Sequence, residues 1–148
     1  MRLAGQHTVT INAPADVVWS HVIDWQHWPD WDKGMERVFF KGPINVGSTG
    51  KLKLRGGPTV NLKVTQFDPV LPGTAGFEPE PQYTDEFSLF GSRFIFYHRV
   101  DPIDANTSTF YVTAHTTGLV ALFNPIIRPS FDAKLSEWLG NLKRKIEQ

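Results

Sequence analysis

Two runs of alternating residues carry the polar groups best placed for chemistry. Across residues 93–100, Phe94, Phe96, His98 and Val100 share one side of an extended chain, because successive side chains point to opposite faces. His98 is therefore an imidazole on a largely apolar face. Across residues 83–90, Tyr83, Asp85, Phe87 and Leu89 share a side, which makes Asp85 a carboxyl group in a similar position. A carboxylate or imidazole facing an apolar cavity has a shifted pKa and can serve as acid or base. His98 is the first candidate base, with Asp85 or Tyr111 assisting.

Plainer roles exist for each group. His98 can be a hydrogen-bonded residue of the sheet, with Tyr111 as its partner across a hairpin. Asp85 can sit at an edge or rim. Tyr111 and His115 alternate with Phe110, Val112 and Ala114 and face either the cavity or solvent. Arg99 falls opposite His98, toward solvent, and of Glu36 and Arg37 only one can face inward. A single bulge reverses every such facing.

Other chemistries are excluded. With no cysteine there is no disulfide, thiolate metal site or cysteine nucleophile. His7, His21, His27, His98 and His115 form no HExxH or other close metal-binding pair. Gly-x-Ser-x-Gly is missing. Gly47-Ser48-Thr49-Gly50 lies between two strands rather than before a helix, so it reads as a turn and not a phosphate loop. No cofactor is expected. Fifteen basic and fifteen acidic side chains cancel, which gives no global electrostatic case for nucleic acid or an anionic membrane. Lys51, Lys53 and Arg55 alternate with Leu52 and Leu54, as on the solvated face of a strand. No apolar run approaches the ~18 residues of a membrane span, and the first residues lack the apolar stretch of a signal peptide. The expectation is a cytoplasmic protein with no integral membrane association, and a homodimer is compatible with it.

These groups need elements to hold them. The 148 residues suit one domain, 1–148, with a sizeable core. Residues 7–12 alternate as a first strand, and Pro14 is suited to open a helix carrying Val17, Val18, His21 and Val22 on one stripe. Pro29 keeps the next helical piece short. Strands are predicted at 36–41, 50–55, 60–67, 83–90, 93–100 and 109–116, separated by Gly, Pro and Asn turns. Residues 70–82 form a proline-rich loop placed to rim a site. Leu119, Leu122, Phe123, Ile126 and Ile127 lead into Phe131, Leu135, Trp138, Leu142 and Ile146 at spacings of three and four. Pro125 and Pro129 predict a break there, with Ser130 capping the second part. Strands joined by short turns imply an antiparallel sheet, and helices on one side of it make an α+β two-layer domain.

The chain resembles the START-like (SRPBCC) superfamily of the helix-grip fold, which includes polyketide cyclases and dehydrases, birch-pollen-allergen-type proteins and lipid-transfer domains. The resemblance rests on Ile11-Asn12-Ala13-Pro14-Ala15-Asp16-Val17-Val18-Trp19, on the stretch from Asp24 to Trp31, and on Val46-Gly47-Ser48. It continues in Arg99-Val100-Asp101-Pro102 and Leu139-Gly140-Asn141-Leu142-Lys143, and so covers nearly the whole chain. It implies a curved sheet of about seven strands, two short N-terminal helices and a long C-terminal helix over a deep cavity for an apolar or amphipathic ligand. Enzymes, carriers and receptors share this fold, so it does not set the function.

Within that frame the cavity walls are expected from Phe87, Phe96, Phe123, Ile127, Phe131 and Leu135, with Trp28 or Trp31 at the mouth. Trp19, Trp25, Trp28 and Trp31 otherwise wedge the short helices onto the sheet. The leading expectation is binding of a small hydrophobic or amphipathic molecule, as in a carrier or sensor. One alternative is a cyclase/dehydrase-like lyase that moves a proton on a bound carbonyl substrate. The other is an interaction module whose cavity is filled by its own eleven phenylalanines.

Overall fold

The computed structural model describes residues 1–40, 44–68 and 82–148. The chain opens with strand β1 (Arg2–Ile11), helix α1 (Ala15–Val22), a 3-10 turn (Trp25–His27) and helix α2 (Trp28–Trp31). Six strands follow: β2 (Met35–Phe40), β3 (Thr49–Leu54), β4 (Thr59–Phe67), β5 (Tyr83–Leu89), β6 (Ser92–Asp104) and β7 (Thr107–Thr116). A single turn, α3 (Leu119–Leu122), leads into the long α4 (Asn124–Glu147).

The strands form one antiparallel sheet in the order β1-β7-β6-β5-β4-β3-β2. Only β1 and β7 are paired out of sequence, so the first strand closes onto the last, and short turns link β3 to β4, β5 to β6 and β6 to β7. Alternation then sorts the side chains. Val60, Leu62 and Val64 of β4 are buried in turn, as are Phe110, Val112 and Ala114 of β7. These residues form the inner face, and α4 and the tryptophan-rich helices cover it.

The expected helix break falls elsewhere. Phe123 separates α3 from α4, and α4 then runs unbroken through Pro129. Pro125 lies in the first turn, where the missing N–H has no helical partner to lose. Pro129 forfeits one internal bond, which the packed face of the helix outweighs: Leu135, Leu139 and Leu142 are all buried. Ser130 lies inside the helix and caps nothing.

Edge strand β1 is secured by side chains of α4. Gln6 N–H donates to Asp132 Oδ1 (3.2 Å), Asn12 N–H to Glu147 Oε1 (2.8 Å), and Lys143 Nζ donates to Thr10 O (2.6 Å). Asn124 Nδ2 donates to Leu3 O at 3.0 Å. Four backbone groups along this edge are thereby paired, which leaves less of it as a template for another chain.

Gly5, at a bulge in β1, lets α4 come this close. A Cβ there would lie 2.7 Å from Asp132 Oδ1 and 2.9 Å from Leu135 Cδ1. Gly5→Val should therefore push the helix outward and cost about 1–3 kcal/mol of stability. Urea unfolding measures this, and an unchanged midpoint would mean that the helix shifts freely.

Candidate functional site

A cavity of about 650 Å³ separates the inner face of the sheet from α4. Its mouth lies between the turn after α2, the β3–β4 turn and the middle of α4, at Lys33, Gly34, Arg55, Gly57, Lys134 and Glu137. Arg55 ties two of these parts together: its Nε donates to Lys33 O at 2.7 Å and its backbone N–H to Gly34 O at 3.0 Å. Beside them, burial raises the pKa of Asp32 above the usual carboxylate value, opposed by the Gly34 N–H and aided by Glu137.

The walls are apolar and largely aromatic. Phe87 stacks on Phe94 (4.9 Å) and on Phe96 (5.8 Å), and Phe131 of α4 stacks over Phe94 and Phe96 at 6.1 Å each. The opposite side is closed by Trp28, Trp138 and Leu135, with Leu52, Leu62 and Val112 from the sheet. Trp28 is pinned by its Nε1 donating to Val22 O (3.1 Å), and Trp138 meets it edge-on at 5.7 Å.

Register explains the polar end. Tyr83 pairs with His98 and Asp85 with Phe96 across β5–β6, so Asp85 and His98 sit diagonally on the inner face and both line the cavity. Tyr83 O–H donates to Asp85 Oδ2 at 2.6 Å. Burial raises the Asp85 pKa to about 7, and the Tyr83 hydrogen bond opposes the rise. Burial, with the Asp85 charge, pushes the Tyr83 phenol well above its ordinary value, so it stays a donor.

His98 Nδ1 lies 3.2 Å from Tyr83 O. A carbonyl only accepts, so Nδ1 carries the proton and Nε2 keeps its lone pair. Burial lowers the His98 pKa to about 3, against the pull of that carbonyl. Its ring lies parallel to Phe110 at 6.2 Å and edge-on to Trp138 at 5.9 Å. The cavity thus offers, at neutral pH, a carboxyl group near its titration point and a neutral imidazole acceptor.

Of the residues singled out from the sequence, His98, Asp85, Trp28, Phe87, Phe96, Phe131 and Leu135 come together around this space. Four do not. Tyr111 pairs with Arg99 rather than His98 and lies on the face opposite Val112, so it reaches neither the cavity nor the imidazole. Trp31 is buried against Trp28 and Trp138 at 6.5 and 5.3 Å without lining the cavity. Phe123, at the α3–α4 junction, is exposed, and Ile127, one helical turn before Phe131, is half-buried and off the cavity wall. The proline-rich loop lies outside the described residues except for Gln82. Tyr83, Met35, Leu54 and Trp138 were not singled out. Tyr83 was legible, because its spacing of two from Asp85 puts both on one face. Trp138 was visible as part of the helix stripe but not as a wall.

No group of described residues could hold a metal ion, and no described helix is long and apolar enough to cross a membrane. A curved antiparallel sheet of seven strands wrapped around a long C-terminal helix, with a cavity between them, is the helix-grip fold of the START-like superfamily. The chain belongs to the polyketide cyclase / dehydrase and lipid transport family, whose model matches residues 3–147. Among solved structures it is similar to a START superfamily protein from Mycobacterium smegmatis (14% identity, 100% of this chain and 99% of that chain, TM-score 0.73). It is also similar to the Zhui aromatase/cyclase from Streptomyces sp. R1128 (18% identity, 96% and 92%, TM-score 0.70). A third neighbour is norcoclaurine synthase of Thalictrum flavum, solved with dopamine and hydroxybenzaldehyde (15% identity, 95% and 84%, TM-score 0.67). Identities this low establish the shared fold alone. No curated protein matches the chain.

Proposed function

We propose that the protein binds a small apolar or amphipathic molecule between the sheet and α4. The observation that carries this reading is a cavity of about 650 Å³ with aromatic walls and two polar groups, Asp85 and His98, on its sheet side. That size suits a drug-sized molecule, and few polar groups among apolar walls are what orients one. An interior of this volume also leaves room that a self-filled module lacks. That a protein of the same fold was solved with two small aromatic molecules supports the reading.

Two measurements test it. Native mass spectrometry should reveal a co-purifying molecule, or an anilinonaphthalene dye should brighten on binding. Leu54→Trp, at the edge of the cavity, should weaken dye binding by about tenfold, since a blocked site forfeits one or two kcal/mol of contact. A protein that carries no molecule and binds no dye would sink the proposal.

A second reading is favoured by the Tyr83–Asp85 pair: an enzyme that moves a proton on a bound carbonyl compound. A carboxyl group titrating near pH 7 can accept or return a proton at neutral pH, whereas His98, with a pKa of about 3, is a weak base. Asp85 is then the base and Tyr83 holds its carboxylate in place. His98 would accept a hydrogen bond from the substrate through Nε2. Asp85 would remove a proton from the carbon beside the carbonyl and return it in the product. Small ketones in deuterated water should exchange that hydrogen with the native protein, and Asp85→Asn should slow the exchange by about 10²-fold or more. Exchange at an equal rate in both would remove Asp85 from the mechanism.

A further inference from the structure

The structure carries a second apolar feature, on its outside. Strands β5 and β6 meet in a two-residue turn, Phe90-Gly91, in which both residues have positive φ (52° and 70°). Such a turn is the natural place for Asn-Gly, since a bulky side chain is strained in the left-handed region. Here the first position is a phenylalanine, and it is 82% exposed. The backbone is strained to hold an aromatic ring in water, an arrangement that burial within the protein does not explain.

Helix α3 lies beside this turn. Gly118 packs so closely that a Cβ there would come within 2.7 Å of Gly91 O, and Val120 N–H donates to Ser92 Oγ at 3.0 Å. Leu119, Leu122 and Phe123 are each more than half exposed, and Ile126 is 75% exposed. Phe90 and these four residues make one apolar tip. No charged residue occurs from Ala105 to Ile127, and none from Phe87 to Ser92. The first charge after each run is an arginine, Arg128 and Arg93. Both side chains are about half exposed, and each holds its carboxylate partner, Asp132 or Glu86, only at 3.7 Å.

The tip and the cavity mouth share one end of the sheet. Leu62 of β4 pairs with Phe87 of β5, so the start of β4 and its preceding turn lie level with the end of β5. Arg55, and Lys33 bonded to it, therefore stand at the same end as Phe90.

We propose that this end docks on an anionic lipid bilayer. A projecting, uncharged tip enters the acyl boundary, while Arg93 and Arg128 meet lipid phosphates at the level of the headgroups. A fluid surface takes a convex wedge without a shaped pocket. Contact at this end brings the cavity mouth to the source of an apolar molecule.

The test is sedimentation with vesicles of equal parts phosphatidylcholine and phosphatidylglycerol, which needs no cavity ligand and so stands or falls apart from the binding proposal. The native protein should sediment with them at low salt, and more weakly with phosphatidylcholine alone. Phe90→Asn relieves the turn while removing the ring, so it should melt at or above the native temperature yet bind vesicles about tenfold more weakly. Leu122→Asp should weaken binding at least as much, with its circular dichroism unchanged. A native protein that stays in the supernatant with both vesicles would overturn the proposal, as would Phe90→Asn binding like the native chain. Native-protein dimers that Phe90→Asn dissociates, with no vesicle binding, would assign the tip to a second copy instead and overturn it equally.

Discussion

Acidification from near neutrality to about pH 4 should leave the contribution of the cavity's buried polar groups to stability almost flat, and Asp85→Asn should turn it into a steep decline. The two groups act with opposite sign. Asp85 has a pKa of about 7 in the fold, raised from 3.8. The folded state thus holds a proton that the unfolded chain lacks. This stability is fully present below the unfolded value and is lost as pH rises through about 7, at roughly 1.4 kcal/mol per pH unit. His98 has a pKa of about 3 in the fold, lowered from 6.5. Here the unfolded chain holds the extra proton. Its stability is present above pH 6.5 and is lost as pH falls toward 3, at the same rate.

Between the two unfolded values the slopes oppose each other. Removing Asp85 leaves His98 alone, so Asp85→Asn should lose on the order of 4 kcal/mol between neutral and strongly acid solution relative to the native protein. His98→Asn, whose amide N–H can replace Nδ1–H toward Tyr83 O, should show the reverse, losing stability as pH rises from 4 to 7. Urea unfolding across this range measures both, and comparison with the native chain cancels Asp32, His115 and the surface carboxylates. If Asp85→Asn keeps the native profile, Asp85 is already ionised in the fold. The same titration changes recognition: below about pH 7 Asp85 donates to a ligand oxygen, and above it only accepts.

The sequence made this pair legible because a strand's period of two is rigid. Once β5 and β6 are joined by a two-residue turn, Tyr83, Asp85, Phe96 and His98 must fall on one face. The same alternation located five of the strands to within two residues. However, β1 starts at Arg2, five residues before the expected 7, and β6 runs through Pro102 to Asp104. Gly5 sits in a bulge and Pro102 near a strand end, where pairing tolerates them. The helix side was less legible. Spacing puts Phe123 and Ile127 on the stripe that continues through Phe131, but it does not say where the helix starts to overlie the sheet. Proline likewise marks a weak point without showing whether packing outweighs it, and α4 runs through Pro129 because its later turns are buried. Tyr111 illustrates a different gap. Its partnership with His98 required a register that places it opposite His98, and the observed register gives that place to Val112. Register depends on turn geometry, which residue types constrain only loosely.

The largest single-residue effect is expected at Trp138, which connects the cavity to the tryptophan cluster. Its ring lies 5.7 Å from Trp28, 5.3 Å from Trp31, 5.8 Å from Phe110 and 5.9 Å from His98, so one side chain of α4 meets helix α2 and strands β6 and β7. Trp138→Ala should cost about 3–5 kcal/mol, because the surrounding rings cannot all collapse into the space. It should also merge that space with the cavity and admit a larger ligand, which a dye-displacement series of increasing size would show. Trp138→Phe should behave differently. The Trp138 Nε1 is buried without a hydrogen-bond partner among the described residues, and such an orphan donor costs about 1–3 kcal/mol. Replacing indole by phenyl loses contact area but removes the orphan, so the two effects should nearly cancel and leave stability within about 1 kcal/mol of native. Equal damage from both variants would show that the indole N–H is engaged after all. A small loss in Trp138→Ala would show that α4 is held chiefly by Leu135, Leu139 and Leu142, with the aromatic cluster serving the cavity rather than the fold.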